Sequence, residues 1–93
     1  MLELYTDLMI LTFDGTVLEK FMKQDPSARY HVAHIVSAEV ETDRKGQRTL
    51  KVEVKASSGP YTRFPPVKLT PEQVAPAEHL VNAINRAKED YRR

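Results

Sequence analysis

From Val36 to Ala56, apolar and polar side chains alternate on both sides of a turn. Val36, Ala38, Val40 and then Leu50, Val52, Val54, Ala56 are interleaved with Ser37, Glu39, Glu41 and Lys51, Glu53, Lys55. Period two across a turn predicts a half-buried β-hairpin. At its tip, Asp43-Arg44-Lys45-Gly46 puts Asp first and Gly fourth in a type I turn, the arrangement of a three-residue loop ending in a left-handed glycine. With the loop at Arg44 to Gly46, Glu39 falls opposite Lys51 and Ser37 opposite Glu53. The carboxylates of Glu39, Glu41, Asp43 and Glu53 then lie on the solvated face, where a cross-strand ion pair accounts for them without catalysis.

Upstream, Leu4 to Phe13 predicts a first strand, Asp14-Gly15 a hairpin turn, and Val17 to Lys23 a second strand. The inward face of the first strand is ambiguous, because Met9-Leu11-Phe13 and Leu8-Ile10 are both apolar. Asp25-Pro26-Ser27 marks a turn. From Tyr30 the apolar parity runs through Val32 and slips before Val36, so Ala33 to Ile35 reads as a bulge or a single helical turn that re-aims the strand. After the central hairpin, Ser57-Ser58-Gly59-Pro60 signals a turn. Tyr61 to Phe64 then forms a short strand that Pro65-Pro66 confines to an edge.

Thr70-Pro71-Glu72-Gln73 is a helix start: Thr70 caps, Pro71 fits the first helical position, Gln73 completes a capping box and Leu69 staples against Val74. Pro76 then predicts a break, with a short turn over Pro71 to Val74 and the main helix from about Pro76 to Tyr91. On that helix Ala77, Leu80, Val81, Ile84, Ala87 and Tyr91 form one apolar stripe at the 3.6 period. The expected fold is therefore α+β, mainly β, in a single domain over residues 1–93: strands from about 4 to 69, then a helical region over about 71–91.

Composition narrows the function classes. Fourteen basic and thirteen acidic residues leave a net charge of +1, which disfavours a dedicated nucleic-acid binder. The absence of cysteine removes disulfides, thiolate metal sites and cysteine nucleophiles together. The longest apolar run, Leu8 to Leu11, is far too short to span a bilayer, and no signal-peptide pattern precedes it, so a cytoplasmic location is expected. Phosphate-cradling glycine motifs and nucleophile elbows are missing from the sequence.

Strands followed by one C-terminal amphipathic helix, with Arg29-Tyr30-His31-Val32-Ala33-His34-Ile35 leading into Ser37-Ala38-Glu39-Val40, resembles the small bacterial pleckstrin-homology-like (PH-like) domains. The resemblance implies a bent antiparallel sheet or partly open β-barrel plugged by the helix. Phosphoinositide-binding members of that family carry several Lys and Arg around the first hairpin. Here the turn is Asp14-Gly15 with Glu19 nearby, and only Lys20 and Lys23 follow.

Three sets of residues are candidates for function. Tyr61, Arg63, Phe64 and Pro65 make an aromatic and proline cluster beside the expected edge strand, where a peptide or a second copy could add a strand. Lys20, Lys23 and Arg29, with Phe21 and Met22, suggest a patch for a membrane or other anionic surface. His31 and His34 have HxxH spacing suited to a metal on a helical turn, with Glu39 or Glu41 as a carboxylate ligand, or else they face water and cap backbone groups; His79 is expected in solvent. The leading expectation is a non-catalytic binding or scaffolding module, acting by protein contact or self-association through an edge strand or the loops at the barrel mouth. A peripheral binder of anionic lipid is the alternative, and a metal-dependent enzyme at His31 and His34 the third. No cofactor, nucleic acid or small-molecule substrate is implied.

Overall fold

The computed structural model describes residues 1–7, 9–22, 27–55, 64 and 66–92. Alternation becomes two antiparallel sheets. The first has four strands in sequential order: β1 (Leu2–Tyr5), β2 (Met9–Phe13), β3 (Val17–Met22) and β4 (Ala28–His31). A 3-10 turn over Val32–His34 leads into the second sheet, made of β5 (Ile35–Thr42), β6 (Arg48–Val54) and β7 (Val67–Leu69). One helix, α1 (Pro71–Arg92), follows. The fold is α+β and mainly strands, and the two sheets do not close into a barrel. The helix packs on β5, β1 and the 3-10 turn, and a single core draws on both sheets and on Ala77, Leu80, Val81 and Ile84. Each fully buried Leu or Ile in it contributes roughly 1.5 to 3 kcal/mol.

The central hairpin forms in the expected register, with Glu39 opposite Lys51 and Ser37 opposite Glu53. Its loop is Arg44 to Gly46: the Asp43 amide donates to the Gln47 carbonyl at 3.0 Å, and Asp43 Oδ1 accepts from the Lys45 and Gln47 amides at 2.8 and 2.9 Å. Gly46 has φ +84°, the left-handed conformation its turn position requires. The parity slip before Val36 is a 3-10 turn and, immediately after it, a register shift between Ile35 and Ser37. That shift corrects one inward residue: Ile35 enters the core while Val36 is exposed.

The segment from Leu4 to Phe13 is a hairpin rather than one strand. Thr6 makes its turn, donating through its amide and hydroxyl to the Met9 carbonyl at 2.9 and 3.1 Å and accepting the Met9 amide at 3.1 Å. One threonine thus satisfies the backbone groups of a reversal that no Gly, Pro or Asn marks. The ambiguity over facing resolves with Met9, Leu11 and Phe13 inward and Ile10 outward. The last strand is Val67–Leu69, paired with β6. The expected strand at Tyr61 to Phe64 and the turns at Asp25-Pro26 and Ser57 to Pro60 fall wholly or mostly outside the described residues.

Pro76 does not break the helix. Its ring costs α1 the bond to the Glu72 carbonyl, yet both residues are exposed, so water can take that acceptor and the break expected from sequence does not occur. Half of the expected capping box forms: the Thr70 amide donates to Gln73 Oε1 at 2.9 Å, while the Gln73 amide donates to the Thr70 carbonyl rather than to its hydroxyl. Tyr91 departs from the predicted stripe: it is exposed, its ring standing edge-on to His31 with centroids 5.4 Å apart. None of the described helices is long and apolar enough to cross a membrane.

Candidate interaction surfaces

Lys20 and Arg29 do not share a surface. Alternation along β3 puts Leu18 and Lys20 on the inner face, and Lys20 is only 6% exposed. Its ammonium nitrogen lies 5.3 Å from the Phe64 ring centroid and 5.9 Å from that of Tyr30, a cation–π arrangement with the aliphatic stem in the core. Arg29 is on the opposite, outer face, 3.1 Å from Glu19, whose carboxylate holds the guanidinium pKa above its usual value. Lys23 lies outside the described residues. The anionic-surface expectation therefore loses Lys20 to the interior. Tyr30 is buried against Phe64, with ring centroids 5.7 Å apart. Burial pushes the Tyr30 phenol up, and its hydroxyl has no hydrogen-bond partner among the described residues.

Of the proposed edge cluster, Phe64 is buried in the core, while Tyr61, Arg63 and Pro65 lie outside the described residues. Three of the four edge strands, β1, β5 and β7, carry side-chain donors. Asn85 Nδ2 donates to the Ala38 carbonyl at 3.2 Å and the Lys88 ammonium to the Val36 carbonyl, both on β5. Gln73 Nε2 donates to the Tyr5 carbonyl of β1 at 2.9 Å, and Gln47 Nε2 to the Leu69 carbonyl of β7 at 3.1 Å.

His31 and His34 face each other loosely, with ring centroids 6.3 Å apart. His31 Nδ1 accepts the Ala33 amide at 3.0 Å, capping the 3-10 turn, which makes that nitrogen a structural acceptor. No group of three or more His, Asp or Glu positioned to hold a metal occurs among the described residues. His79 is exposed. The carboxylates on the outer face of the central hairpin engage their neighbours, but not as the register alone implied. Lys51 reaches diagonally to Glu41 at 2.7 Å rather than directly across to Glu39. The ammonium lowers the Glu41 pKa, and the hydrogen bond from Glu39 to Glu41 raises that of Glu39.

What the sequence reading missed is a row of apolar side chains on the outer face of the four-stranded sheet. Tyr5 pairs with Ile10 and Ile10 with Phe21, and these three neighbours are 59%, 38% and 40% exposed. The adjoining row on the same face, Glu3, Thr12, Glu19 and Arg29, is polar or charged throughout. The Tyr5 hydroxyl donates to Glu3, and that carboxylate raises the phenol pKa. The signal was present in sequence: β2 is apolar at both parities, and one parity has to face out. Two open grooves also flank the C-terminal half of α1. One, of about 570 Å³, lies over Phe13, Val32 and Ala87 with Asp14 and Arg86 at its margin; the other, of about 500 Å³, runs past the 3-10 turn beside Lys55 and Lys88. Comparison with known proteins finds no matching family model, no matching curated protein and no matching solved structure.

Proposed function

We propose that this chain is a non-catalytic protein-binding module of PH-like architecture. Four strands, three strands and a C-terminal helix, in that order, support the architectural part of the reading. The observation that carries the functional part is the row Tyr5, Ile10 and Phe21. Three large apolar side chains stand side by side in solvent on a sheet face whose next row is charged, the composition of an interface centre with a polar rim. Exposed aromatic side chains are also the type that contributes most at such centres.

A photo-crosslinking amino acid at position 21, with the same probe at exposed Glu72 as control, tests it in lysate under mild conditions. Discrete adducts at position 21 that are missing at 72 are expected. Identical or no adducts at both positions would count against the module.

A further inference from the structure

An open groove of about 780 Å³ lies where the tip of the central hairpin meets the end of β7 and the first turns of α1. Hydrogen bonds fix its walls. Asp43 Oδ1 holds the loop through the Lys45 and Gln47 amides, and Gln47 Nε2 ties the loop base to the Leu69 carbonyl. Leu69, Pro71 and Val74 supply apolar lining, and Lys45, Arg48 and Lys68 supply cations.

The charges at this groove do not balance. Arg29, Arg48 and Lys51 each meet a carboxylate, Arg48 taking Glu78 at 3.5 Å. Lys45 and Lys68, both exposed, form no ion pair among the described residues. The nearby carboxylates are engaged elsewhere: Asp43 accepts the two loop amides, Glu78 meets Arg48, and Glu41, across Thr49 from Lys68, is taken by Lys51. Two lysines are left for charge that another molecule brings.

The geometry points to this groove as a docking site for an acidic segment of a partner protein, its carboxylates on Lys45 and Lys68 and an apolar side chain over Pro71 and Val74. The groove belongs to the other sheet from Tyr5, Ile10 and Phe21, so the assignment stands independently of that row. Its volume admits about four residues of extended chain at about 3.3 Å each. Phosphate-rich occupants fit less well. No aromatic ring is among the described lining residues, so bases have no stacking platform, and Asp43 and Glu78 interrupt the basic surface that a run of phosphates needs. The loop from Asp43 to Gln47 carries no apolar side chain to enter a bilayer.

Titrating the isotope-labelled chain with a nonapeptide of glutamates carrying one central leucine, followed by amide NMR, tests this. Saturable shifts centred on Gly46, Gln47, Lys68 and Val74 are expected, with a dissociation constant below about 1 mM. Shifts centred elsewhere, or no saturation by about 2 mM peptide, overturn the assignment. Lys68→Glu should weaken binding at least about threefold, and Arg86→Glu, the same charge change beside a different groove, by less than about twofold. Equal losses would mean a response to net charge alone and overturn it too. The amide spectrum reports whether each variant is folded, and Lys45→Glu replaces Lys68→Glu if that one is not. Raising salt from about 0.05 to 0.5 M should weaken binding at least about threefold, and salt-independent binding counts against the lysines. Octathymidylate or phosphatidylserine vesicles that shift the same amides at lower concentration than the peptide would reassign the groove to phosphate and overturn the acidic segment.

Discussion

Replacing Pro76 by alanine separates two architectures by the sign of its effect. In a helix running unbroken from Pro71 to Arg92, position 76 is interior, and alanine restores an amide that can donate to the Glu72 carbonyl. A helical hydrogen bond contributes about 1 kcal/mol net, and relief of the ring against the preceding turn adds to it, within an upper limit of about 3 kcal/mol for proline against alanine. Two effects reduce the gain. Water already serves the exposed Glu72 carbonyl, and losing proline widens the unfolded ensemble by about 0.4 to 1 kcal/mol. The net expectation is a stabilisation of about 1 to 2 kcal/mol, which for a domain of this size raises Tm by roughly 4 to 16 °C. Were the helix broken as the sequence suggests, Pro76 would occupy a first helical position, where its fixed φ helps, and alanine would lower stability. Urea unfolding followed by circular dichroism at 222 nm measures the difference directly. A Pro76→Ala protein that unfolds at a lower urea midpoint, with an unchanged m-value, would refute the continuous helix.

Two further expectations follow from the core and the first tight turn. Ile84, fully buried between α1 and the sheets, should cost about 2 to 5 kcal/mol as Ile84→Ala, read from the same urea transition, with the upper half of that range if the site cannot collapse. Asp14 accepts the Thr16 and Val17 amides through Oδ1, both at 2.8 Å, which lowers its pKa below the model-peptide value of 3.8. A carboxyl whose folded pKa is depressed stabilises fully above the unfolded pKa and loses that contribution as pH falls through the folded one. Asp14→Asn should therefore lose less stability than wild type as pH drops below about 4. Parallel acid transitions in the two proteins would remove the assigned role.

Where the sequence could be read, one local signal had no competitor. From Ala38 onward the β5–β6 hairpin has clean alternation and a loop whose Asp and Gly positions admit one register, so its pairing follows from sequence down to Glu39 opposite Lys51, whereas Val36, expected inward, is exposed beyond the register shift. Elsewhere the deciding contact is tertiary. Lys20 reads as a surface cation, yet its strand parity and the rings of Tyr30 and Phe64 draw it inward. The diagonal reach of Lys51 to Glu41 depends on side-chain length rather than register. Tyr91 fits the helical period, but its ring stays at the surface, edge-on to His31 at the end of β4. The reversal at Thr6 carries Asp7 but no Gly, Pro or Asn, and the Thr6 hydroxyl satisfies the backbone groups of Met9 there. That one apolar parity of β2 faces out was legible in the sequence, but the row became visible only with the pairing of β1, β2 and β3, which sets Tyr5 and Phe21 beside Ile10.

The side-chain donors on the strand edges give a physical reason why contact would concentrate on a face. An edge strand offers unpaired backbone groups to any extended chain. Here Asn85 and Lys88 of the helix supply donors to β5, Gln73 to the end of β1 and Gln47 to the end of β7. Each of these bonds engages a carbonyl that an added strand would need, so strand addition at these points begins by breaking a bond already made. The outer row of the four-stranded sheet has no such competitor among its three apolar side chains, and covering it gains buried area without breaking a backbone bond. The same helix that closes the core over Leu80 and Ile84 thus protects the β5 edge through its polar face. Among the described residues the fold leaves two surfaces without such a donor: the β4 edge of the four-stranded sheet and the side-chain face of Tyr5, Ile10 and Phe21.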